Sequence, residues 1–307
     1  AVDNVGPNTG LLFDGAVTND ASPQLAGSLG SPLASGQTLA IWRQLDDGAF
    51  EFIGNAVVNG TSWTLQDGDL ADGSYTYQAR VMNGSTLVQS SGDFNLTVVT
   101  AAPAAPATTV PEAGTDHLVN AAEKASDGGV PVVTQLPDNA RVGDVVTTTV
   151  TLADGSQLTL STTLKMADLQ AGRISQLIPA DKLGTDGEYP VSSTWTSSVT
   201  GLTSAPTDST FVLDTTPPAA PAADVAATSD TGASNTDNIT KDNTPTISGS
   251  GTNGDTITVT LPTGEVLTTT VVGGVWSVTP TQALPDGANQ RVLVTATDPA
   301  GNTSAPT

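Results

Sequence analysis

"GDTITVTLPTG", residues 254–264, is the stretch on which the fold turns. Ile257, Val259 and Leu261 alternate with Thr256, Thr258 and Thr260, a period of two that gives a strand one apolar face and one hydroxyl face. "PTG" then closes the strand in a tight turn. The same text occurs twice more, as "GDVVTTTVTLADG" at 143–155 and "GQTLAIWRQLDDG" at 36–48. The leading glycines Gly36, Gly143 and Gly254 lie 107 and 111 residues apart, the length of one small β-sandwich per copy.

Further markers keep the same spacing. "LADG" at 70–73, "LGTDG" at 183–187 and "LPDG" at 284–287 each precede another alternating strand. "GTSWTL" at 60–65 matches "GGVWSV" at 273–278, and the middle copy has "GRISQL" there. Almost no segment carries a helical period. The fold class expected is therefore all-β: three tandem immunoglobulin-like sandwiches in an extended rod, over residues 1–101, 102–214 and 215–307. The boundaries are the Pro/Ala-rich "TAAPAAPATT" from Thr100 and "TTPPAAPAA" from Thr215. Proline fixes φ and cannot donate to a ladder, so these read as short semi-rigid spacers. "TSAPT" at 303–307 repeats "TSAPT" at 203–207, after which the middle copy runs on as "DSTFVLDTTPP". The third copy is expected to stop before its last strand, with a further repeat following in a longer parent.

The chain has 31 acidic residues against 9 Lys and Arg, a formal charge of −22. That balance excludes nucleic acid and anionic membranes as partners, because phosphate binding needs Lys and Arg to displace counterions. Cysteine is absent and His117 is the single histidine, so thiolate sites, disulfides and His-rich zinc sites have nothing to be built from. No apolar run is long enough to span a bilayer, no charged stretch followed by an apolar one stands at the start, and the text is expected to be a piece of something longer.

One connection breaks the pattern. "DTGASNTDNITKDNTP", residues 230–245, crowds Asp230, Asp237, Asp242, Asn235, Asn238 and Asn243 together with one cation, Lys241. Like charge at that density repels itself unless something neutralises it. The plainer reading is that Asp and Asn form turns and keep the surface soluble.

Several stretches together resemble the tandem bacterial immunoglobulin-like repeats of giant secreted adhesins, the biofilm-associated and RTX group that includes the Salmonella giant non-fimbrial adhesin. They are "LDTTPPAAP" at 213–221, "SNTDNITKDNTPTISGSG" at 234–251 and "ATDPAGNTSAP" at 296–306, with "VDNVGPNTG" at 2–10 and "VTNDASPQLAGSLG" at 17–30 corresponding in the first copy. The resemblance implies secreted, cell-surface stalk domains stiffened by Ca2+ at or near their junctions, and no enzymatic activity. The partners it implies are calcium ions, neighbouring repeats and, through other parts of the parent, a host or abiotic surface, with the fragment itself a monomer. Calcium takes six to eight oxygens from carboxylates, amides and carbonyls, which the acidic run offers. The expected ligands are Asp230, Asn235, Asp237 and Asp242 folding back to meet Asp214. In the first copy Asp3 is aligned with Asp214, and Asp20 with Asp242. Asp298 is expected at the far end of its domain, facing the next repeat. At the first junction Val99 replaces Asp214, so bridging there is expected to be weaker or to use Asp116, Glu123 and Asp127 instead. Neither an EF-hand loop nor the RTX nonapeptide occurs.

Trp63, Trp195 and Trp276 read as core residues by strand parity, whereas Trp42 falls on the opposite face. An exposed Trp42 keeps open a second reading, a module that itself grips a glycan or a host or matrix protein. A flat ice-binding surface would require regular threonine arrays, which these strands lack. Glycosidase chemistry would require a deep groove beside its carboxylates.

Overall fold

The computed structural model describes residues 1–307 and is all-β, with 43 % strand and 7 % helix. Six sheets lie in three consecutive stretches of chain, two sheets to each. In the first, strands ordered Gly10–Leu11, Val2–Asp3, Gln24–Ser28, Ser62–Gln66, Val57–Asn59 oppose Ala16–Thr18, Phe94–Val98, Gly73–Asn83, Gln37–Leu45, Glu51–Asn55. In the second, Ala107–Thr109, Gly129–Gln135, Arg173–Pro179 oppose Leu118–Val119, Thr207–Leu213, Gly187–Thr196, Val145–Thr151, Gln157–Thr163. In the third, Asp224–Val225, Ile247–Ser250, Val275–Val278 oppose Val266–Thr270, Thr256–Thr260, Leu293–Thr297. No ladder joins one stretch to another, and no strand forms in 99–106 or 214–223, where the prolines remove donors.

The alternation read at 254–264 becomes the central strand Thr256–Thr260, with Ile257 and Val259 fully buried between the third pair of sheets. Each pair closes on its own apolar cluster: Leu25, Leu39, Ile41, Tyr77 and Leu96 in the first, Val130, Ile178, Tyr189 and Phe211 in the second, Ile257, Val259, Trp276 and Val294 in the third. A second small cluster around Trp195 and Ile174 extends the middle core. Tyr75 and Tyr189 donate their hydroxyls back to the carbonyls of Ala71 and Thr185, four residues upstream, at 2.8 and 2.7 Å. This tyrosine corner is a mark of immunoglobulin-like sandwiches.

Trp195 and Trp276 are buried as their parity requires, while Trp63 is half-buried and packs against the first core. Trp42 does lie on the face opposite the core, but it is half-covered: the Arg80 guanidinium stands 4.6 Å from its ring centroid and Phe52 packs at 5.8 Å. One face of the Trp42 ring is taken by Arg80.

The accessible surface is 15,938 Å². A single compact body of this mass would expose about 12,000 Å².

The acidic segments leave from the ends of the sheet pairs. In the third pair, Thr297 pairs with Thr256, so the turn 298–302 emerges beside Asp255. The acidic connection leaves the other end, where the Ala226 amide bonds the Thr246 carbonyl and the Leu284 amide bonds the Asn243 carbonyl. A five-residue strand separates the two ends, about 17 Å.

Candidate metal centres at the ends of the sheet pairs

Asp214 and the acidic run were expected to meet at one ion; the topology parts them. Asp214 follows the strand Thr207–Leu213 and touches the 298–302 turn, where the Asn302 amide Nδ2 donates to the Asp214 carbonyl at 2.8 Å. Asp230, Asp237 and Asp242 belong to the opposite end of the third sheet pair. Asp298, expected at that far end, stands instead at the near one. The strands that carry the two segments run antiparallel in the sandwich, and linear spacing along the sequence does not reveal that.

At this near end the carboxylates are crowded. Asp255 is 3 % exposed and its Oδ2 has no hydrogen-bond partner. Burial, and then the charge of Asp298, push the Asp255 carboxyl above its ordinary value, against a smaller pull from the Thr252 hydroxyl. Asp298 accepts from the Asn302 backbone and side chain at 2.8 and 3.1 Å. Asn120 Nδ2 reaches across to the Ala300 carbonyl at 2.9 Å, and the Ala121 amide donates to Asn302 Oδ1 at 3.0 Å. Asp255 and Asp298 thus stand together at the junction, with the Asp214 carbonyl held by Asn302 and the Asp214 carboxylate accepting the Thr216 amide at 3.2 Å, and no Lys or Arg pairs with them.

The far ends of the first and third pairs repeat one another. Asp20 Oδ1 accepts from the Ser22 amide at 2.7 Å and Asp242 Oδ1 from the Thr244 amide at 2.9 Å. The amides of Asp20 and Asp242 each bond the hydroxyl two residues earlier, Thr18 or Thr240, at 3.0 Å. Asp3 does not occupy the position aligned with Asp214; the parallel pairing of Ala16–Thr18 with Phe94–Val98 gives that place to Val99. Asp3 packs instead beside Asp20, accepting from the Thr18 hydroxyl at 2.6 Å and the Val5 amide at 2.8 Å. Asp3, Asn19 and Asp20 are 4 %, 7 % and 1 % exposed, and Asn19 Oδ1 is buried without a partner. In the third pair Asp230 is 4 % exposed, accepts from the Asn238 amide at 3.1 Å through Oδ2, and leaves Oδ1 buried and unpartnered. Asn235 and Asp237 stand exposed, and Asp237 Oδ1 accepts the Ile239 amide in a local turn.

Asp116, Glu123 and Asp127 lie near the second junction, not the first, because Leu118–Val119 pairs in parallel with the strand that ends at Leu213, just before Asp214. Asp116 is exposed and accepts the Leu118 amide. Glu123 closes a capping box with Asn120 on the helix Ala121–Ala125, its Oε2 taking the Asn120 amide at 2.9 Å. Asp127 is exposed at φ 50°.

Two residues outside every sequence-based expectation hold the spacers. Asp72 Oδ1 accepts the Thr100 amide and hydroxyl at 2.8 and 2.7 Å, and Asp186 Oδ1 accepts those of Thr215 at 3.0 and 2.7 Å. Both sit in the "DG" turns of the repeat, so the sequence does carry a signal: an acid at one recurring place, opposite a recurring threonine. Hydrogen bonds from Thr100 hold the Asp72 carboxyl below its ordinary value. For Asp186, burial pushes upward and the bonds from Thr216 and Thr215 outweigh it.

No three His, Asp or Glu side chains converge as a ready metal cluster. Five buried carboxylate or amide oxygens are left unpaired: Asp255 Oδ2, Asp230 Oδ1 and Asn19 Oδ1 in these clusters, and Glu112 Oε2 and Gln176 Oε1 outside them. Hard oxygens without a protein donor are the chemistry that suits Ca2+.

Residues 216–307 match a family profile described as bacterial Ig-like domain. No curated protein matches the chain. Among solved structures it is similar to one reported for host cell surface retention of a 1.5-MDa bacterial ice-binding adhesin, at 23 % identity and TM-score 0.43, covering 95 % of this chain and 91 % of that one. Another belongs to a Ca2+-stabilized adhesin with which an Antarctic bacterium binds ice, at 24 % identity and TM-score 0.38, covering 94 % and 69 %. A third is a tetra-tandem repeat in the extending region of a large adhesion protein, at 20 % identity and TM-score 0.32, covering 96 % and 72 %. None of these likenesses, all under a quarter identical, assigns an activity to this chain.

Proposed function

We propose that the chain is a calcium-stiffened spacer of a large bacterial surface adhesin, three sandwich units held in line so that a binding module elsewhere in the parent is carried away from the cell. The observation that carries this reading is the set of buried carboxylates without a cation. Of 31 acids, two are ion-paired, Asp67 with Arg43 and Asp181 with Lys182; Asp3, Asp20, Asp230 and Asp255 are not. Leaving buried charge uncompensated is expensive, and a divalent ion offsets it.

Three further observations support the reading. Three separate units of a third of the mass would expose about 16,000 Å², close to the 15,938 Å² of this chain, so little surface is hidden between units. The spacers are gripped at their first residues by Asp72 and Asp186. Residues 216–307 match a bacterial Ig-like family.

In this reading Asp214, Asp255, Asp298 and Asn302 would hold calcium between the second and third units. Asp3 and Asp20 with Asn19, and Asp230 with Asp242, would hold it at the far ends of the first and third. Bound calcium supplies the positive charge each cluster lacks. Asn302 and Asn120 orient the second junction by their own hydrogen bonds, and the ion cancels the repulsion that opposes them.

The test is calorimetric titration of the chelator-stripped chain with calcium, and with magnesium as the smaller, more strictly octahedral ion. Calcium binding that is lost stepwise in Asp255→Asn and Asp20→Asn chains is expected. A chain that takes up no calcium would end the reading.

A further inference from the structure

We propose that the loop 4–8 is a clasp that docks the first unit onto the turn 197–201 of the second through its own side chains, so that this junction is set without a bridging metal. Pro7 seats over Gly201: a Cβ built on Gly201 would lie 2.2 Å from Pro7 Cγ, and the residue has φ +70°. Only glycine offers both that backbone shape and that space. Beside it, Asn8 Nδ2 donates to the carbonyls of Ser198 and Val199 at 3.3 and 3.0 Å.

The comparison with the second junction explains why a clasp is present. There Asn120 Nδ2 donates to Ala300, in the turn of the following unit, at 2.9 Å. At the equivalent place in the first unit, Asn19 Nδ2 donates at 2.8 Å to Gly6, in its own loop. The loop is thus interposed between Asn19 and the next unit and carries the contact outward. The Asn4 and Val5 amides pin its root to Asp20 and Asp3 at 3.0 and 2.8 Å.

Of the three acids at the second junction, Asp214 and Asp298 have no acidic counterpart here, and the counterpart of Asp255 is fully partnered. Val99 stands where Asp214 stands, and the Ser197 amide bonds the Leu202 carbonyl as the Asp298 amide bonds that of Asn302. Asp144, the counterpart of Asp255, is fully partnered by Trp195 Nε1 at 3.1 Å and by the Ser198 amide and hydroxyl at 2.8 Å. The first junction is therefore crossed by a peg and a notch, and the hydrogen bonds of its own buried acids, Asp3 and Asp20, stay within the first unit. The partner that the 197–201 turn fits is a preceding unit bearing a proline–asparagine loop. The inference concerns the first junction alone; an ion held by Asp3 and Asp20 would sit behind the loop in the first unit and would not bridge to the second.

The chain has no cysteine, so spin labels can be placed cleanly at the exposed positions Val57→Cys and Thr159→Cys, one on each unit. Pulsed dipolar distances would be recorded for the full chain in calcium and in EGTA. A narrow distribution in both is expected, and Pro7→Ala with Asn8→Ala should roughly double its width in both, since free motion is the default between units with small contacts. Gly201→Ala should broaden it similarly from the other side of the contact. Broadening of the unsubstituted chain in EGTA would assign the junction to metal and overturn the proposal. So would a Pro7→Ala, Asn8→Ala chain whose distribution is unchanged. Because both labels flank the first junction, failure of calcium binding at the second alters neither result.

Discussion

Asp255 concentrates the physics of the candidate sites in one side chain. Its carboxyl is buried, one oxygen has no donor, and the charge of Asp298 acts on it. An acid whose pKa is raised in the folded state contributes full stability below its unfolded value, here 3.8, and loses it as pH rises through the raised value. Without metal the contribution of Asp255 to the third unit should therefore fall from acid toward neutral pH. Asp255→Asn is expected to raise the metal-free thermal midpoint at pH 7 by a few degrees, of the order of 1 kcal/mol, and to abolish the gain that calcium gives that unit. At pH 3 the substitution should have almost no effect. Thermal melts at both pH values, with and without calcium, check the sign; a lower metal-free midpoint at pH 7 would contradict it. Asp72 and Asp186 behave oppositely. Their carboxyls sit below the ordinary value, so their grip on the spacers is present above 3.8 and is lost as pH falls through the depressed value.

At the scale of elements, strands and turns are legible because period-two alternation and Gly/Asp turn chemistry are local signals. Thr256–Thr260, Val145–Thr151 and Gln37–Leu45 all lie inside the three copies of the repeat. The site is less legible. Asp20 and Asp242 can be matched by aligned text, but the end of a sandwich at which a loop emerges depends on strand direction and sheet order. That is why Asp298 and Asp230 exchange ends relative to expectation, and why Asp116 and Glu123 lie by the second junction. The clamps at Asp72 and Asp186 have a recurring signal, an acid in the "DG" turn and a threonine opening the spacer, but pairing the two takes the fold, because a turn aspartate looks the same in sequence whether or not that threonine reaches it. Two outcomes follow from these elements. Tyr189→Phe keeps the ring stacked on Phe211 at 5.3 Å and removes only the bond to Thr185, so denaturant melts should register a loss of about 1 kcal/mol. Asp186→Ala frees Thr215 and Thr216 and should widen label distances across the second junction even in calcium, with little change in the melting midpoint because the side chain is exposed. An unchanged distance distribution would mean that Asp186 does not clamp the spacer.

Over the whole molecule, a charge of −22 is spread along a chain that hides little surface between its parts. Self-repulsion alone extends such a chain, but it does not fix the angle between units. Direction comes from contacts: the Pro7 and Asn8 clasp at one junction, and Asn120, Asn302 and the neutralised acids at the other. The acidic run 230–245 faces away from both, so any ion it holds orders the far end of the third unit and not the junction behind it. The repeat makes the architecture readable, and Val99 in place of Asp214 already marks the first junction as unlike the second; the clasp is not readable, because nothing in the text of 4–8 tells that Pro7 and Asn8 reach the turn 197–201. Whether calcium sets the shape can be read from small-angle X-ray scattering of the full chain in calcium and then in excess EGTA. A narrow, extended particle is expected in calcium, and a shorter, more variable one in EGTA as the second junction loosens. Superimposable curves would mean that calcium does not set the shape and that the buried acids serve only as turn formers and surface charge.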